Sequence, residues 1–490
     1  MVTKDSKIRR KVLQFKEDCF EVELGGNKLE RSTKWSLVFF FGWLLSFPLQ
    51  GPVLYSLATA WNVDGNRLGL VFIFFHALGL VAAGLFLSRR IHHPIFLPGL
   101  SLVCLFVSLA FLFAEPQLYP VLLAILGVVS GLYVISWALP YTVYAGTHRI
   151  RFMAEVIIGA NIIYYLTNLL SSFAVIGGKP LLMTLTMTLL VVAWFSRTLY
   201  PIDRIKIPQV KSFPLDLVAL LSFLVLGVYI NGGLMYSIIF PSFVSFASIS
   251  RVYRILPYMA VLVVALFLRR RWSKVDLFYL GVAFLGLGFV SYIAFQASLL
   301  GYFLTETFIL AGLALLDLGL WTLSADIAEV YGYIAGVFGT TLAANVMALH
   351  IGGLLGAKLV TTGDPYLKTG LSAFFIIFLI MALIPGLGRQ INRRLVKRKE
   401  ELLAAKKSSH TVLEELNRIT VDSLTPRERE VISLILRGCG NLEIASTLGI
   451  SDNTVKVHVK NVNKKVGVAN KNELLSLAIR IFMGQEKSNK

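Results

Sequence analysis

The chain has 490 residues, of which 56% are hydrophobic and only 15% charged, with a formal net charge of +19. A soluble globular protein carries about a quarter charged residues, so this composition excludes an ordinary soluble domain over most of the length. The excess of Lys and Arg falls in loops and in the tail, where it suits a lipid surface or nucleic acid.

Residues 1–34 are charged and lack the short apolar core and small-residue cleavage site of a secretory signal. Twelve apolar segments follow, at about 35–60, 68–87, 94–114, 118–143, 152–176, 181–199, 214–240, 252–268, 275–297, 302–323, 329–356 and 370–388. Each is near the roughly 20 residues that a helix needs to cross a bilayer, and none alternates apolar with polar as a barrel strand does. The predicted fold class is therefore all-α, a polytopic twelve-helix transmembrane bundle. Cys19, Cys104 and Cys439 are scattered, which predicts neither a disulfide framework nor a zinc site.

Loop charge predicts the orientation. Lys28, Arg31 and Lys34 precede the first segment; Arg89 and Arg90, Arg149 and Arg151, Arg197 to Lys211, and Arg269 to Lys274 fill the second, fourth, sixth and eighth connections. The odd connections are poorer in basic residues, so both termini are expected in the cytoplasm of a bacterial inner membrane. The tenth connection departs from the pattern, holding Asp326 and Glu329 with no Lys or Arg.

The connection at about 197–213 divides the segments six plus six. This resembles the major facilitator architecture, in which two six-helix halves enclose a central cavity. That family's second connection reads Gly-x-x-x-Asp-Arg-x-Gly-Arg-Lys. Here it reads GLFLSRRIHHP, keeping Gly84, Arg89 and Arg90 but placing Ser88 where the acid belongs. The resemblance implies transporter shape more than transport.

Ionisable side chains in lipid cost at least about 2.5–3.5 kcal/mol and so face a cavity or a partner. The polar candidates are His76, Glu155, Asn161, Asn168, Asn231, Glu306, Asp317, Asn345 and His350. Asp317 leads as a ligand-cavity residue, with Glu306, His76 and Asn231 beside it. Asp317 and Glu306, about three turns apart, suit a cationic ligand or protons, or pairing with Arg251 and Arg254. The asparagines have the plainer reading of interhelical hydrogen-bond donors, and Gly352, Gly353 and Gly356 of close helix packing. Trp35, Trp61 and Trp272 read as interfacial anchors.

Residues 389–421 form a basic linker, with Thr411 and Glu414 in a capping-box pattern. A small domain follows at 422–484, and 485–490 is a tail. Thr425, Pro426 and Glu428 start a helix carrying Val431, Ile432, Leu434 and Ile435, and Gly438 ends it. Asn441 caps a second helix with Ile444, Ala445 and Leu448, and Gly449 turns the chain. Ser451 caps a third, in which Val455, Val459, Val462 and Val466 form one seam and Lys456, Val457, Lys460 and Lys464 lie opposite. Gly467 ends it, and Asn470 with Glu473 starts a fourth helix containing Leu474, Leu475, Leu477, Ala478 and Ile481. A basic face behind an apolar seam is what a helix needs to enter the major groove while docked on its own core.

The run LTPREREV…NLEIASTLGISDNTVKVHVKNVNKKVGV resembles the LuxR/GerE-type helix-turn-helix, with no insertion. Gly440, Leu442 and Asn463 depart from the family pattern, and Leu442 replaces a lysine that suits phosphate. The resemblance implies base contacts by Lys456, Val457 and Lys460, and backbone contacts by Thr454, Asn461, Lys464 and Lys465. It also implies dimerisation through Leu474, Leu475, Ala478 and Ile481. His458, beside the seam, reads as a packed residue rather than a DNA contact.

Together these readings divide the chain into 1–34, a twelve-helix domain at 35–388, the linker at 389–421, the DNA-binding domain at 422–484 and the tail. The expected function is a membrane-bound transcriptional regulator, binding promoter duplex DNA as a homodimer under control of a small molecule sensed in the bilayer. The alternative is a major-facilitator secondary transporter with a regulatory DNA-binding tail. No phosphate loop, nucleophile elbow or metalloprotease helix is present, so neither catalysis, a metal nor a cofactor is predicted.

Overall fold

The computed structural model describes residues 26–49, 51–86, 96–199, 213–268, 274–296, 298–360, 388–397, 423–436 and 441–469, with a few positions between and beyond. The described residues are helical throughout, with no strand, and they separate into two compact units, one up to Ile391 and one after it.

The first unit contains α1 (Gly26–Ser46), α2 (Pro52–Ala60), α3 (Gly65–Phe86), α4 (Phe96–Ala110), α5 (Tyr119–Tyr144), α6 (Arg149–Ser172) and α7 (Gly178–Arg197). Then come α8 (Leu215–Leu234), α9 (Ala247–Tyr253), α10 (Ile255–Leu268), α11 (Lys274–Phe295), α12 (Leu299–Tyr331) and α13 (Ile334–Val360). Nine helical stretches among the described residues are long and apolar enough to cross a membrane. Most of the twelfth predicted segment, 370–388, lies outside the described residues, as do Trp272, Thr411 and Glu414.

Three predicted borders are corrected. The segment 35–60 is two helices, because Gly51 packs against the Ser46 backbone too closely for any Cβ and Pro52 opens a new helix. Helix α4 ends at Ala110, short of the predicted border at 114. The predicted tenth connection is helix: α12 runs 33 residues and stops only where Gly332 takes φ 76°. At 1.5 Å per residue α12 is about 50 Å long, well beyond the roughly 30 Å hydrocarbon layer. Asp326 and Glu329 therefore sit in the last turns of a helix, not in a loop.

Helix α13 packs on both α8 and α3, α1 packs on α6 and α7, and α11 packs on α12. Glycines set the closest approaches. A Cβ on Gly339 would stand 2.8 Å from the Gly84 Cα, so Gly84, the glycine that resembles a signature residue, brings α3 against α13.

The second unit contains α14 (Pro426–Leu436), α15 (Asn441–Leu448) and α16 (Asp452–Val466). The capping box of α14 forms as read: the Glu428 N–H donates to Thr425 Oγ1 at 3.2 Å, and the Thr425 N–H donates to Glu428 Oε2 at 2.8 Å. Ser451 Oγ accepts from the Thr454 N–H at 3.1 Å, and Gly467, at φ 76°, closes α16. Ser451→Ala is expected to cost about 0.5–2 kcal/mol, read as a lower melting point of this unit's transition. Val455, Val462 and Val466 are buried with Val431, Ile432, Ile435 and Ile444. The same core takes in Leu416, placed by sequence in the linker and fully buried here.

Candidate nucleic-acid interface and membrane cavity

Helix α16 presents the predicted reading face. Lys456, Val457 and Lys460 are all exposed, with Lys464 one turn further on the same side. The Lys456 ammonium meets Asp452 at 2.7 Å on its own helix, an exposed pairing that holds the side chain without neutralising the face. Thr454 and Asn461 are exposed at the flanks, and the Thr454 hydroxyl touches that of Ser451 at 2.8 Å. His458 is half-buried beside the seam.

Lys465 is a correction. Its Nζ bonds Glu428 Oε2 at 2.9 Å and the Ser423 carbonyl at 3.1 Å, which turns it toward the start of α14 rather than toward phosphate. Burial pushes the Glu428 carboxyl up, but Lys465 and the Thr425 N–H and hydroxyl outweigh it and hold the carboxyl below the ordinary glutamate range. The folded state thus binds fewer protons than the unfolded chain near pH 4. The stabilisation is full above the unfolded value of about 4.3 and is lost as pH falls through the folded value. Acid melting curves should therefore fall less steeply for Glu428→Gln than for the parent, with a lower plateau at neutral pH.

Leu474 is a second correction. It is fully buried in the unit's own core, which leaves it no face for a partner. Leu475, Ala478 and Ile481 lie outside the described residues. Arg427 has a role that motif matching missed: its guanidinium donates to the Leu448 carbonyl at 2.6 Å and to Glu430 at 2.7 Å, tying the end of α15 to α14.

Within the bundle the predicted cavity residues separate. His76 is buried, its Nδ1 2.7 Å from the Ser130 hydroxyl and its ring against Phe72, at the tight contact of α3 with α5. Asn231 is fully buried and donates to the Gly227 and Val228 carbonyls of its own helix. Both are enclosed by helix packing. Asn161 is not an interhelical donor, since it bonds the Ile157 carbonyl one turn back. Asn168 does bridge helices, donating to the Arg251 carbonyl at 2.9 Å.

Glu306 is fully buried and meets the Arg254 guanidinium at 3.4 Å. That guanidinium lies 3.7 Å over the Phe240 ring. Asp317 makes no such pair. Its two carboxylate oxygens accept from the Tyr229 hydroxyl at 2.6 Å and the Tyr258 hydroxyl at 2.5 Å. These three residues come from α8, α10 and α12, and Asp317 and Tyr258 remain partly open to solvent.

The acidic end of α12 explains the odd connection in the charge pattern. Arg149, 1% exposed at the start of α6, donates to Asp326 at 2.5 Å, to Glu329 at 2.8 Å and to the Thr142 carbonyl at 2.9 Å. Lys274, at the start of α11, takes the second oxygen of Asp326. A charge on α6 is thereby locked to two on α12. Two carboxylates three residues apart, in a place where basic residues prevail, were the available signal for it. On the same end Glu155 binds both Lys34 and Arg151.

Residues 422–478 match the luxR family of bacterial regulatory proteins, described as GerE. Over 72 residues the chain is 44% identical to the probable transcriptional regulatory protein SgaR of Hyphomicrobium methylovorum, covering 15% of this chain and 34% of that one. It is 47% identical over 58 residues to the transcriptional regulatory protein MctR of Rhizobium johnstonii, covering 12% and 27%. It is 35% identical over 83 residues to the HTH-type transcriptional regulator MalT of Yersinia pestis, covering 17% and 9%. The chain thus spans about a third or less of the length of these relatives. The human organic anion transporter MFSD10 (TETRAN) superposes with a TM-score of 0.59 at 14% identity, covering 74% of this chain and all of that one. The C-terminal unit is a GerE/LuxR-type helix-turn-helix domain, carried by a chain whose apolar helices share the fold of MFSD10.

Proposed function

We propose that this protein is a transcriptional regulator lodged in the bacterial inner membrane, both termini cytoplasmic, whose bundle senses a small molecule and controls promoter binding by the C-terminal domain. The reading rests above all on α16, whose exposed row of Lys456, Val457, Lys460 and Lys464 backs onto a buried valine seam. Lysine suits guanine O6 and N7, and valine the thymine methyl. Asn461, Thr454 and Lys464 flank that row where phosphates run. Two copies, paired through the last helix, read a pseudo-symmetric site. The chemistry is binding, not catalysis. The ligand acts through unequal affinity for two bundle states, and a difference of about 1.4 kcal/mol moves the active ratio tenfold.

A promoter reporter in cells tests the reading. Output should follow the signal with the full chain and lose that dependence when the C-terminal domain is released from the bundle. Equal signal dependence in the released form would contradict it. The fold shared with an organic anion transporter favours a second reading, a secondary transporter with a DNA-binding tail. Solute uptake or efflux by vesicles holding the purified protein, abolished by Asp317→Asn, would favour that reading.

A further inference from the structure

Two acids within the apolar length of α12 are handled in opposite ways. Glu306 has a cation, Arg254. Asp317, half-way along the same helix, has only two phenols, and among the described residues no lysine, arginine or histidine stands in ion-pair distance of it. Phenol hydroxyls share a carboxylate's charge but do not neutralise it. In a low-dielectric bundle the remaining negative charge is expensive unless a cation or proton joins it. The site is built rather than incidental. Tyr229 is itself buried and within hydrogen-bonding reach of Asn345 on α13, so its hydroxyl is oriented before any ligand arrives.

The surroundings indicate which cation fits. A hard metal ion wants six to eight oxygens, and this place offers one carboxylate and two phenols. It offers aromatic faces instead. Tyr236 shares the neighbourhood of Asp317, Arg254 and Tyr164. It stands on the π-helical turn Met235–Ile239 that continues α8. Such turns concentrate at functional sites, because the extra residue re-aims the side chains around it. A monovalent organic cation gains charge pairing from Asp317, oxygen lone pairs from phenols whose protons already point at the carboxylate, and π-faces for its body.

We propose that Asp317, Tyr229 and Tyr258 bind a monovalent organic cation, an amine or quaternary ammonium with an apolar body, and that this is the class of signal the bundle senses. The proposal rests on the sensor reading above and narrows it to one chemistry.

Full-length protein in lipid nanodiscs tests it, with tetraphenylphosphonium and phenethylammonium as a bulky and a slim cation and tetraphenylborate as an anion of the phosphonium's shape. At least one of the cations should bind saturably, and the borate should not. Asp317→Asn should weaken the bound cation at least tenfold, with Tyr258→Phe weakening it less. An unchanged melting profile of Tyr258→Phe keeps the comparison valid if the asparagine variant folds poorly. Retention of neither cation, equal retention of the borate, or an affinity indifferent to both substitutions would overturn the site. A cation bound through Asp317 that leaves promoter binding unchanged would overturn the sensor reading and leave the site standing. Signal-dependent promoter output that survives Asp317→Asn would overturn the assignment of the signal to this site and leave the sensor reading standing.

Discussion

Full-length protein carrying Lys456→Ala and Lys460→Ala is expected to lose about 2–6 kcal/mol of affinity for its promoter site, since each good contact to a base edge is worth about 1–3 kcal/mol. That exceeds a tenfold change in Kd. Both ammonium groups stand on the exposed side of α16, and neither supports the core, so the fold should survive. Affinity for non-specific duplex should fall far less than affinity for the site. Lys464→Ala supplies the contrast. As a backbone contact it should weaken all sequences alike and reduce the salt slope of log K by about one. Titrations of both variants against specific and scrambled duplexes at several salt concentrations make the comparison. A double variant that discriminates the site as well as the parent would remove α16 from base reading.

Arg149→Leu is the second substitution with a large expected effect. It removes the guanidinium that holds both Asp326 and Glu329, in a place where Lys274 also meets Asp326. Breaking a buried pair from one side costs about 3–5 kcal/mol, because the remaining charges stay in place without their partner. The bond joins the start of α6 to the end of α12, so the cost falls on the state in which that end is closed. Ala145→Cys, at a buried position four residues before Arg149, reports opening through its reaction with a water-soluble thiol reagent. In a background without Cys19, Cys104 and Cys439 it should react slowly with Arg149 present and quickly in Arg149→Leu. Adding Asp326→Asn and Glu329→Gln should restore much of the protection, since an absent ion pair costs little where a broken one costs much. No restoration would mean that charge is not what holds the end closed.

The C-terminal domain was legible in the sequence because its signals are local. Thr425 with Glu428, Ser451 and Gly467 act over a few residues, and each forms the expected cap. The valine seam is a periodicity within a single helix and is buried as read. Lys465 and Leu474 failed because their partners, Glu428 and the shared core, lie across the fold. Leu416 escaped for the same reason: composition assigned it to a basic linker, and only the tertiary core shows where it goes.

In the bundle, helix existence followed from apolar length, but polar pairing did not. An acid in a span announces a partner without saying which one. Asp317, the leading cavity candidate, and Glu306 share one helix, yet one receives two phenols and the other a guanidinium. The burial of His76 and Asn231 under neighbouring helices is likewise a tertiary fact that no local pattern carries. The end of α12 was misplaced because Asp326 and Glu329 were read as loop charges, whereas Gly332, with its positive φ, marks the real stop.

Genome-wide capture of DNA by the intact membrane-lodged chain bears most directly on all of this. Recovery of a small set of pseudo-symmetric sites is predicted, vanishing for Lys456→Ala with Lys460→Ala while that variant still fractionates with the membrane. Recovery of the same DNA from both forms, or no enrichment above bulk chromosome from either, would contradict it.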